Sequence, residues 1–378
     1  MTNSETSGVE LPDMDLLKKF DVPAPRYTSY PTADRFNAEF TAEDYARALA
    51  DRGTAKEPAP LSLYVHVPFC HDVCFYCGCN KIVTRDHSRS TAYIDLIGQE
   101  ADLVKAHLTG SQELEQLHFG GGTPTFLTED ELELMMDTLT KRFPLAKTGG
   151  EFSIEVDPRT CGPSKVKKLR EIGLNRMSLG VQDFNPDVQK AVNRIQPFEM
   201  TKETMDAARA EGFHSINMDL IYGLPKQTRE TFSQTIDQVL ELSPDRIALY
   251  HYAHLPNHFK PQRRILPADT VTKVHIMFDA IKRLTANGYR YIGMDHFAKI
   301  DDELSRAQIE GTLQRNFQGY STKAECDMVA LGVSSISKIG SAYAIPANSM
   351  IGLPPLKKDG SPRTAAITSA KTMSCAVM

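Results

Sequence analysis

The sequence predicts an α/β fold: a partial parallel (β/α)6 barrel with an N-terminal extension and a short irregular C-terminal tail. Two observations lead to this fold class. Short apolar runs alternate with segments of helical periodicity six times after residue 60. Each apolar run is followed by an unusual polar or glycine-rich motif, as expected for loops at the C-terminal ends of parallel strands. The 378 residues suffice for one such domain with extensions.

The predicted strands are short apolar runs at residues 61–67, 114–119, 151–156, 176–181, 215–222 and 246–252. Between them, segments such as 129–143 and 229–242 have helical spacing, and several of these segments end at Gly or before Pro. The motifs that follow the six strands are PFCHDVCFYCGC, GGGTP, DPR, QDF, GLP and AHLP. All six fall on one rim of the predicted barrel, so that rim is the predicted site of the chemistry.

The regions outside the barrel have a different character. The lead-in contains the aromatic-rich stretch PRYTSYPT and a predicted helix at 41–53, which begins at a Thr cap. The last residues contain Pro, Gly and Ser breakers with little apolar periodicity. The chain is therefore divided into an N-terminal extension (1–55), the barrel (56–300), a barrel-closing segment (301–345) and an irregular tail (346–378).

Composition and charge indicate a cytoplasmic protein. The hydrophobic fraction of 41% and the charged fraction of 24% are those of an ordinary globular protein. No apolar run approaches the roughly 20 residues that a membrane span needs. The polar, acidic start shows no secretory signal. A net charge of −5, with both signs mixed along the chain, argues against nucleic acid as a partner.

Four of the seven cysteines, Cys70, Cys74, Cys77 and Cys79, fall within ten consecutive residues. Because disulfides are disfavoured in the cytoplasm, this grouping indicates metal or redox chemistry. Structural zinc sites usually join two separated pairs, and the sequence offers no second pair. Three thiolates in one loop suit one face of an iron–sulfur cubane. The spacing alone leaves open which of the four is not a ligand, and a zinc-binding structural protein is the alternative that the cysteines allow.

The C-x3-C-x2-C spacing, with Tyr76 before the third cysteine, resembles the radical S-adenosylmethionine (SAM) superfamily. Further motifs extend from about residue 20 to about residue 345: PRYTSYPT, YVHVPFCHDVCFYCGCNKIVTR, HFGGGTPT, SIEVDPR, LGVQDFN, DLIYGLPKQT, PDRIALYHYAHLP and GMDHF. Together they are similar to the oxygen-independent coproporphyrinogen III oxidase family. Related haem-chaperone-like proteins lack the RYTSYPT lead-in and the fourth cysteine, and this chain has both.

The resemblance implies a radical SAM oxidoreductase of haem biosynthesis that decarboxylates two propionates of coproporphyrinogen III to give protoporphyrinogen IX. It implies a [4Fe–4S] cluster and two SAM molecules as cofactors. We also expect a small electron-donor protein as partner, and a monomer. Family members continue into a helical C-terminal domain, where this sequence has about thirty irregular residues. The alternative is therefore a haem- or porphyrin-binding carrier with weak or no oxidase activity.

The resemblance also assigns roles to individual residues. The implied cluster ligands are Cys70, Cys74 and Cys77, with Cys79 as a neighbouring non-ligand. The implied contacts of the first, iron-bound SAM are Tyr64, Tyr76, Gly121, Glu155 and Ile336. Those of the second SAM are Gly122, Thr123, Gln182, Arg194, Asp219 and Ala253.

Other residues have a simpler interpretation. His66 lies within an apolar strand and is predicted to be a core histidine with satisfied hydrogen bonds. His296 and the two tyrosines of RYTSYPT are candidates for the substrate side. The scattered cysteines Cys161, Cys326 and Cys375 are predicted to be ordinary thiols.

Overall fold

The computed structural model describes residues 40–316, 318–323 and 325–345, together with residues 13, 15, 16, 19 and 36. The RYTSYPT stretch and the tail 346–378, which includes Cys375, lie outside the described residues. The helices are α1 Ala42–Asp51, α2 Ser88–His107, α3 Glu129–Thr140, α4 Pro163–Glu171, α5 Pro186–Ala191, α6 Phe198–Ala210, α7 Arg229–Leu242, α8 Thr270–Ala286 and α9 Glu303–Glu310.

The strands alternate with these helices over most of the chain. They are β1 Leu61–Val67, β2 Phe69–Cys70, β3 Ile82–Val83, β4 Leu114–Gly121, β5 Glu151–Val156, β6 Arg176–Gln182, β7 Ser215–Tyr222, β8 Arg246–His251, β9 Tyr289–Gly293, β10 His296–Lys299, β11 Gln314–Asn316, β12 Gly319–Ser321, β13 Asp327–Leu331, β14 Ser337–Ile339 and β15 Ala342–Ala344. The six predicted strands correspond to β1, β4, β5, β6, β7 and β8, so those predictions are confirmed.

Eleven strands form one sheet, in the order β15-β14-β13-β1-β4-β5-β6-β7-β8-β10-β9. From β13 to β8 all neighbours are parallel. The outer strands on both sides are antiparallel. The sheet keeps two edges, which confirms a partial barrel. The sequence analysis did not predict β13, because this five-residue strand follows a hairpin instead of a crossover helix.

The parallel strands have one apolar face and one polar face. Along β5 the buried residues Phe152, Ile154 and Val156 alternate with the half-buried Glu151, Ser153 and Glu155. The apolar face packs with the helices into the main hydrophobic core. The polar face lines a cavity of about 200 Å³ inside the barrel. The interior of the barrel is therefore a polar lumen.

Local signals explain where the helices begin. Thr128 caps α3 in a capping box with Glu131, and Thr228 caps α7 in the same way with Thr231. Pro occupies the first position of α4 and α5, where no backbone hydrogen bond is lost. Within the described part of the chain, no helix has the length and apolar character needed to cross a membrane.

Candidate functional site

The cysteine loop connects β2 to β3, and these two short strands pair in parallel at its base. Two hydrogen bonds with the segment after α5 hold the side of the loop in place. The Phe75 N–H donates to the carbonyl of Val192 at 2.9 Å, and the Asn193 side chain donates to the carbonyl of Val73 at 2.9 Å. The loop follows β1 at the C-terminal rim of the parallel strands, as predicted.

The sulfur atoms of two of the three predicted ligands each contact a hydroxyl group or a backbone N–H. Cys70 Sγ lies 3.3 Å from the hydroxyl oxygen of Thr123, and Cys77 Sγ accepts the backbone N–H of Cys79 at 3.4 Å. Hydrogen bonding from Cys79, aided by the charge of Lys81, lowers the pKa of the Cys77 thiol to about 6. Burial raises the pKa of the Cys70 thiol to about 11. The contacts at Cys77 therefore favour its thiolate form.

The third sulfur faces two cations. Cys74 Sγ lies 3.7 Å from Arg159 Nη2 and 3.8 Å from Arg194 Nη1. Both guanidinium groups also donate to Asp157 Oδ2, at 2.7 Å and 3.0 Å respectively. Burial alone would raise the pKa of the Asp157 carboxyl, but Arg194 and Arg159 hold it down at about 2. We call Asp157, Arg159 and Arg194 the upper arginine set.

The sequence analysis did not assign a role to Asp157 or Arg159. The available signal was the DPR motif directly after the third predicted strand. What the motif could not reveal is that its carboxylate meets Arg194, 37 residues further along the chain. This pairing depends on the tertiary fold.

The spacing of the loop cysteines argues against a single zinc ion. Tetrahedral zinc with bonds of about 2.3 Å places its sulfur ligands about 3.8 Å apart. Among the described residues, the group of three whose ligand atoms all lie within 4.8 Å of one another is Glu115, Glu325 and Cys326, and the loop cysteines form no such group. An all-thiolate donor set with wider spacing suits a cubane cluster.

A second group of predicted residues meets on the lumen side, around Glu155 at the end of β5. Glu155 Oε2 accepts the backbone N–H of Gly121 at 3.2 Å, and Glu155 Oε1 lies 3.6 Å from His118 Nε2. The ring of His118 stacks on that of Tyr64, with centroids 5.8 Å apart. Burial and the nearby Glu155 raise the pKa of the Asp219 carboxyl to about 7. The structure thus brings Tyr64, Gly121, Glu155 and Asp219 together.

The glycine-rich motif after β4 is required by close backbone packing. Gly121 has φ +121°, and a Cβ atom there would lie 2.9 Å from the ring of His66. A Cβ atom on Gly122 would lie 2.8 Å from the backbone of Pro68. His66 is itself buried, and its Nε2 lies 3.0 Å from the carbonyl oxygen of Asn80. The core interpretation of His66 is therefore confirmed.

Gln182 and Arg194 both lie close to Gly180. A Cβ atom on Gly180 would approach Gln182 Nε2 at 3.3 Å and Arg194 Nη2 at 3.2 Å. Gln182 ends β6 with φ +73°, a conformation that non-glycine residues seldom adopt. Asp219 accepts hydrogen bonds from Ser178 and Asn217, both at 2.9 Å. Gln182 and Asp219 lie in the C-terminal halves of β6 and β7, whereas Ser178 and Asn217 lie in their N-terminal halves.

Tyr76 and Ala253 are linked by Gln262, which sequence reasoning missed. Gln262 is 1% exposed, and its Nε2 donates to the carbonyl of Tyr76 at 2.8 Å and to that of Ala253 at 3.1 Å. No local pattern marked this glutamine. Ile336 lies between β13 and β14 and so follows the C-terminal end of a strand that pairs with β1.

The remaining candidates divide between the lumen and the core. His296, predicted for the substrate side, lines the lumen cavity, and its Nδ1 lies 2.7 Å from Asp295 Oδ1. Cys161 and Cys326 are buried free thiols, as predicted.

The opposite end of the lumen contains a network that we call the lower arginine set. Arg176 Nη2 lies 3.2 Å from Glu151 and 2.6 Å from Glu303. Arg246 Nε lies 2.9 Å from Asp302, and Arg246 Nη2 lies 3.2 Å from Glu303. Because Glu151, Arg176 and Arg246 begin their strands, this network closes the end of the lumen away from the cysteine loop.

Known proteins resemble this chain over most of its length. A family model for the radical SAM superfamily matches residues 64–239. The oxygen-independent coproporphyrinogen III oxidase of Pseudomonas aeruginosa is 52% identical over 336 residues, which cover 88% of this chain and 73% of that protein. The chain belongs to the oxygen-independent coproporphyrinogen III oxidase family.

A sequence relative and a solved structure, both from Escherichia coli, give the same result for this family. The oxygen-independent coproporphyrinogen III oxidase of that organism is 48% identical over 335 residues, covering 88% of this chain and 72% of that protein. The solved structure of its coproporphyrinogen III oxidase, described as a radical SAM enzyme, has a TM-score of 0.82 at 46% identity and covers 88% of this chain and 75% of that chain. The family resemblance seen in the motifs is confirmed, and with it a [4Fe–4S] cluster and SAM as cofactors.

Proposed function

We propose that this enzyme converts coproporphyrinogen III to protoporphyrinogen IX by oxygen-independent oxidative decarboxylation, as a step of haem biosynthesis. One observation carries the proposal. The three-cysteine loop lies at the C-terminal rim of a parallel partial barrel, in a chain 52% identical over 88% of its length to an enzyme of that name. No feature of the described residues favours the alternative of a porphyrin carrier.

Cys70, Cys74 and Cys77 are the proposed cluster ligands. Cys70 and Cys74 are each 8% exposed, and the low pKa of Cys77 supplies a thiolate. The cationic upper arginine set beside Cys74 suits an anionic cluster. Three ligands leave one iron free for the amino and carboxylate groups of SAM.

We propose that two SAM molecules bind at the rim, and that each contacts its own set of residues. Glu155 can accept hydrogen bonds from ribose hydroxyls, and it already accepts the backbone N–H of Gly121. For the first SAM the proposed contacts are Tyr64, Tyr76, Gly121, Glu155 and Ile336. For the second SAM they are Gly122, Thr123, Gln182, Arg194, Asp219 and Ala253.

The protein itself contributes binding, orientation and exclusion of water. When bound, the cluster and SAM supply one-electron chemistry that removes a hydrogen atom from the β-carbon of a propionate. That propionate then loses CO2 and one electron, which passes to a one-electron acceptor, and a vinyl group remains. Arg194 can pair with a carboxylate in bidentate fashion, while the buried Asp219 can face an ammonium or sulfonium group.

Several further properties belong to this proposal. We propose a small electron-donor protein as partner, a monomer as the working state, and the cytoplasm as location. The division into residues 1–55, 56–300, 301–345 and 346–378 also stays a prediction. His296 and the tyrosines of RYTSYPT are the proposed substrate-side residues.

The test is an anaerobic assay. The protein is reconstituted with iron and sulfide, then mixed with SAM, a reductant and coproporphyrinogen III. We expect 5′-deoxyadenosine and divinyl product, with two deoxyadenosines per product because each propionate consumes one. Equilibrium binding of SAM should reach two molecules per chain.

The outcomes separate the candidate functions. Deoxyadenosine without vinyl product would contradict the substrate but not the cofactors. Tight zinc binding, with neither product, would contradict the enzyme. Stoichiometric haem binding with the porphyrinogen left unchanged would indicate the carrier instead.

A further inference from the structure

We propose that Arg159, together with Arg194, donates N–H···S hydrogen bonds to Cys74 and so raises the reduction potential of the cluster that Cys74 helps to hold. The family resemblance gives Arg159 no role. The inference rests on the proposed function, because it takes Cys74 as a cluster ligand. The inference concerns how easily the cluster is reduced, and not how SAM binds.

The contacts are specific to one sulfur. Cys74 Sγ lies 3.7 Å from Arg159 Nη2 and 3.8 Å from Arg194 Nη1, distances that suit the larger radius of sulfur. Cys70 Sγ lies beside the Thr123 hydroxyl, and Cys77 Sγ accepts the backbone N–H of Cys79 near the ammonium group of Lys81. Hydrogen bonds to cluster sulfurs are among the factors that set reduction potential. Cys74 is thus the sulfur that two guanidinium groups contact.

The charge of the upper arginine set is not balanced. Two guanidinium groups share the single carboxylate of Asp157, which leaves one unit of positive charge. Arg194 is 6% exposed, and the side chain of Arg159 is 20% exposed. Solvent therefore screens this charge poorly, and its effect on a nearby group is strong. A cluster with thiolate ligands becomes more negative on reduction, so the neighbouring cations favour the reduced state.

The backbone fixes the position of Arg159. It lies in the 3-10 turn Pro158–Thr160, directly after β5, and its own N–H donates to Asp157 Oδ1 at 3.0 Å. The guanidinium Nε also donates to Asp157 Oδ1, at 3.0 Å. The backbone N–H of Asp157 donates to the hydroxyl of Thr125 at 3.2 Å. The DPR motif therefore holds a cation toward the cysteine loop before any ligand binds.

The experiment compares Arg159→Met and Arg159→Lys with the unmodified enzyme after anaerobic reconstitution. A redox titration followed by electron paramagnetic resonance, without SAM, measures the potential, so that contacts to SAM do not contribute. For Arg159→Met we expect the ratio of reduced to oxidised cluster at a fixed potential to fall at least tenfold. That ratio corresponds to a potential lower by about 59 mV for one electron. Arg159→Lys should give a smaller fall, because an ammonium group lacks the planar fork.

The matched control is Arg246→Met, which removes from the lower set an arginine of similar side-chain exposure (17%, against 20% for Arg159) and should leave the potential unchanged. A potential in Arg159→Met equal to that of the unmodified enzyme, at equal iron content, would overturn the inference. If Arg159→Met fails to bind iron, the potential of Arg159→Lys decides, and an unchanged value overturns the inference. An unmodified protein that forms no cluster would instead refute the proposed function.

Discussion

The two ends of the barrel each hold a pair of arginines that are at least half-buried, but they balance the charges differently. In the upper arginine set two guanidinium groups share one carboxylate, so the formal charge is +2 − 1 = +1. In the lower arginine set two guanidinium groups meet three carboxylates, so the formal charge is +2 − 3 = −1. The same residue type thus serves two different purposes in one lumen.

The difference follows from what each set must contact. A buried charge without a partner is costly, so the second cation of the upper set favours a further anion nearby, and the sulfur of Cys74 is adjacent to both guanidinium groups. The lower set already has an excess of carboxylate and joins the starts of β5, β6 and β8 to the segment around α9. One set is built to meet a ligand, and the other closes the barrel.

The largest expected effect comes from removing the anion that the upper set faces. Cys74→Ala should lower bound iron to background and reduce deoxyadenosine formation by more than about 100-fold, because changes outside the ligand shell already cost 10–100-fold. Iron content and product analysis measure this. The control is Cys161→Ala, which removes a buried thiol that is 1% exposed. An equal loss of iron from that control would contradict the ligand assignment.

The second-largest effect is expected from removing a salt bridge of the lower arginine set. Arg246→Met leaves the 7%-exposed side chain of Asp302 without its cation, so the free energy of unfolding should fall by about 3–5 kcal/mol. Thermal unfolding of the cluster-free protein measures the change. Adding Asp302→Asn should restore part of the loss, because the unpaired carboxylate disappears. A double variant no more stable than the single one would contradict the pairing.

The third-largest effect is a pH dependence of the free energy of unfolding, which should differ between Asp157 and Asp219. Asp157 faces two cations and has a lowered pKa, whereas burial and Glu155 raise the pKa of Asp219 from 3.8 to about 7. Between these two values the folded protein keeps a proton on Asp219 that the unfolded chain releases. The free energy of unfolding should therefore fall as pH rises from about 4 to 7, by up to about 1.4 kcal/mol per pH unit.

Asp219→Asn should remove this dependence and be more stable, relative to the unmodified protein, at pH 8 than at pH 5. Thermal unfolding at both pH values is the measurement, and Asp157→Asn serves as the contrasting variant. Its wild-type carboxyl stabilises the fold above pH 3.8 and loses that effect only as pH falls toward 2. A stability difference for Asp219→Asn that is the same at both pH values would refute the raised pKa.

The smallest effect is expected at the exposed edge of the lower set. The side chain of Glu303 is 44% exposed, so Glu303→Gln should change the free energy of unfolding by about 0–1 kcal/mol. Thermal unfolding beside Arg246→Met measures this. A loss as large as that of Arg246→Met would mean that Glu303, and not Asp302, anchors the lower set.

Local patterns in the sequence predicted much of the fold. The six parallel strands and the cysteine loop are recognisable because each depends on residues within one short segment. Strand β13 escaped prediction since its pairing with β1 joins residues more than 260 positions apart, such as Leu61 and Asp327. The polar lumen was not predicted either. Strands with alternating polar residues enclose a polar lumen only when the sheet curves, and the sequence does not show that curvature.

The candidate site shows the same limit. The proposed ligand cysteines and the glycine motif could be identified from spacing and family resemblance. The contacts between Asp157 and Arg194, and from Gln262 to Tyr76 and Ala253, arise only when distant loops meet on the rim. In the sequence Gln262 is a single glutamine in a proline-containing turn, and nothing around it indicates that it contacts these loops.

The bonds that hold the cysteine loop have a consequence for maturation of the enzyme. The loop is fixed at both ends by the pairing of β2 with β3, and in its middle by Val192 and Asn193. The conformational entropy of the loop is therefore lost when the protein folds, and not later when a ligand binds. We therefore expect added iron and sulfide to meet a loop that the fold already holds in place, so that rebuilding a lost cluster should not require the chain to unfold.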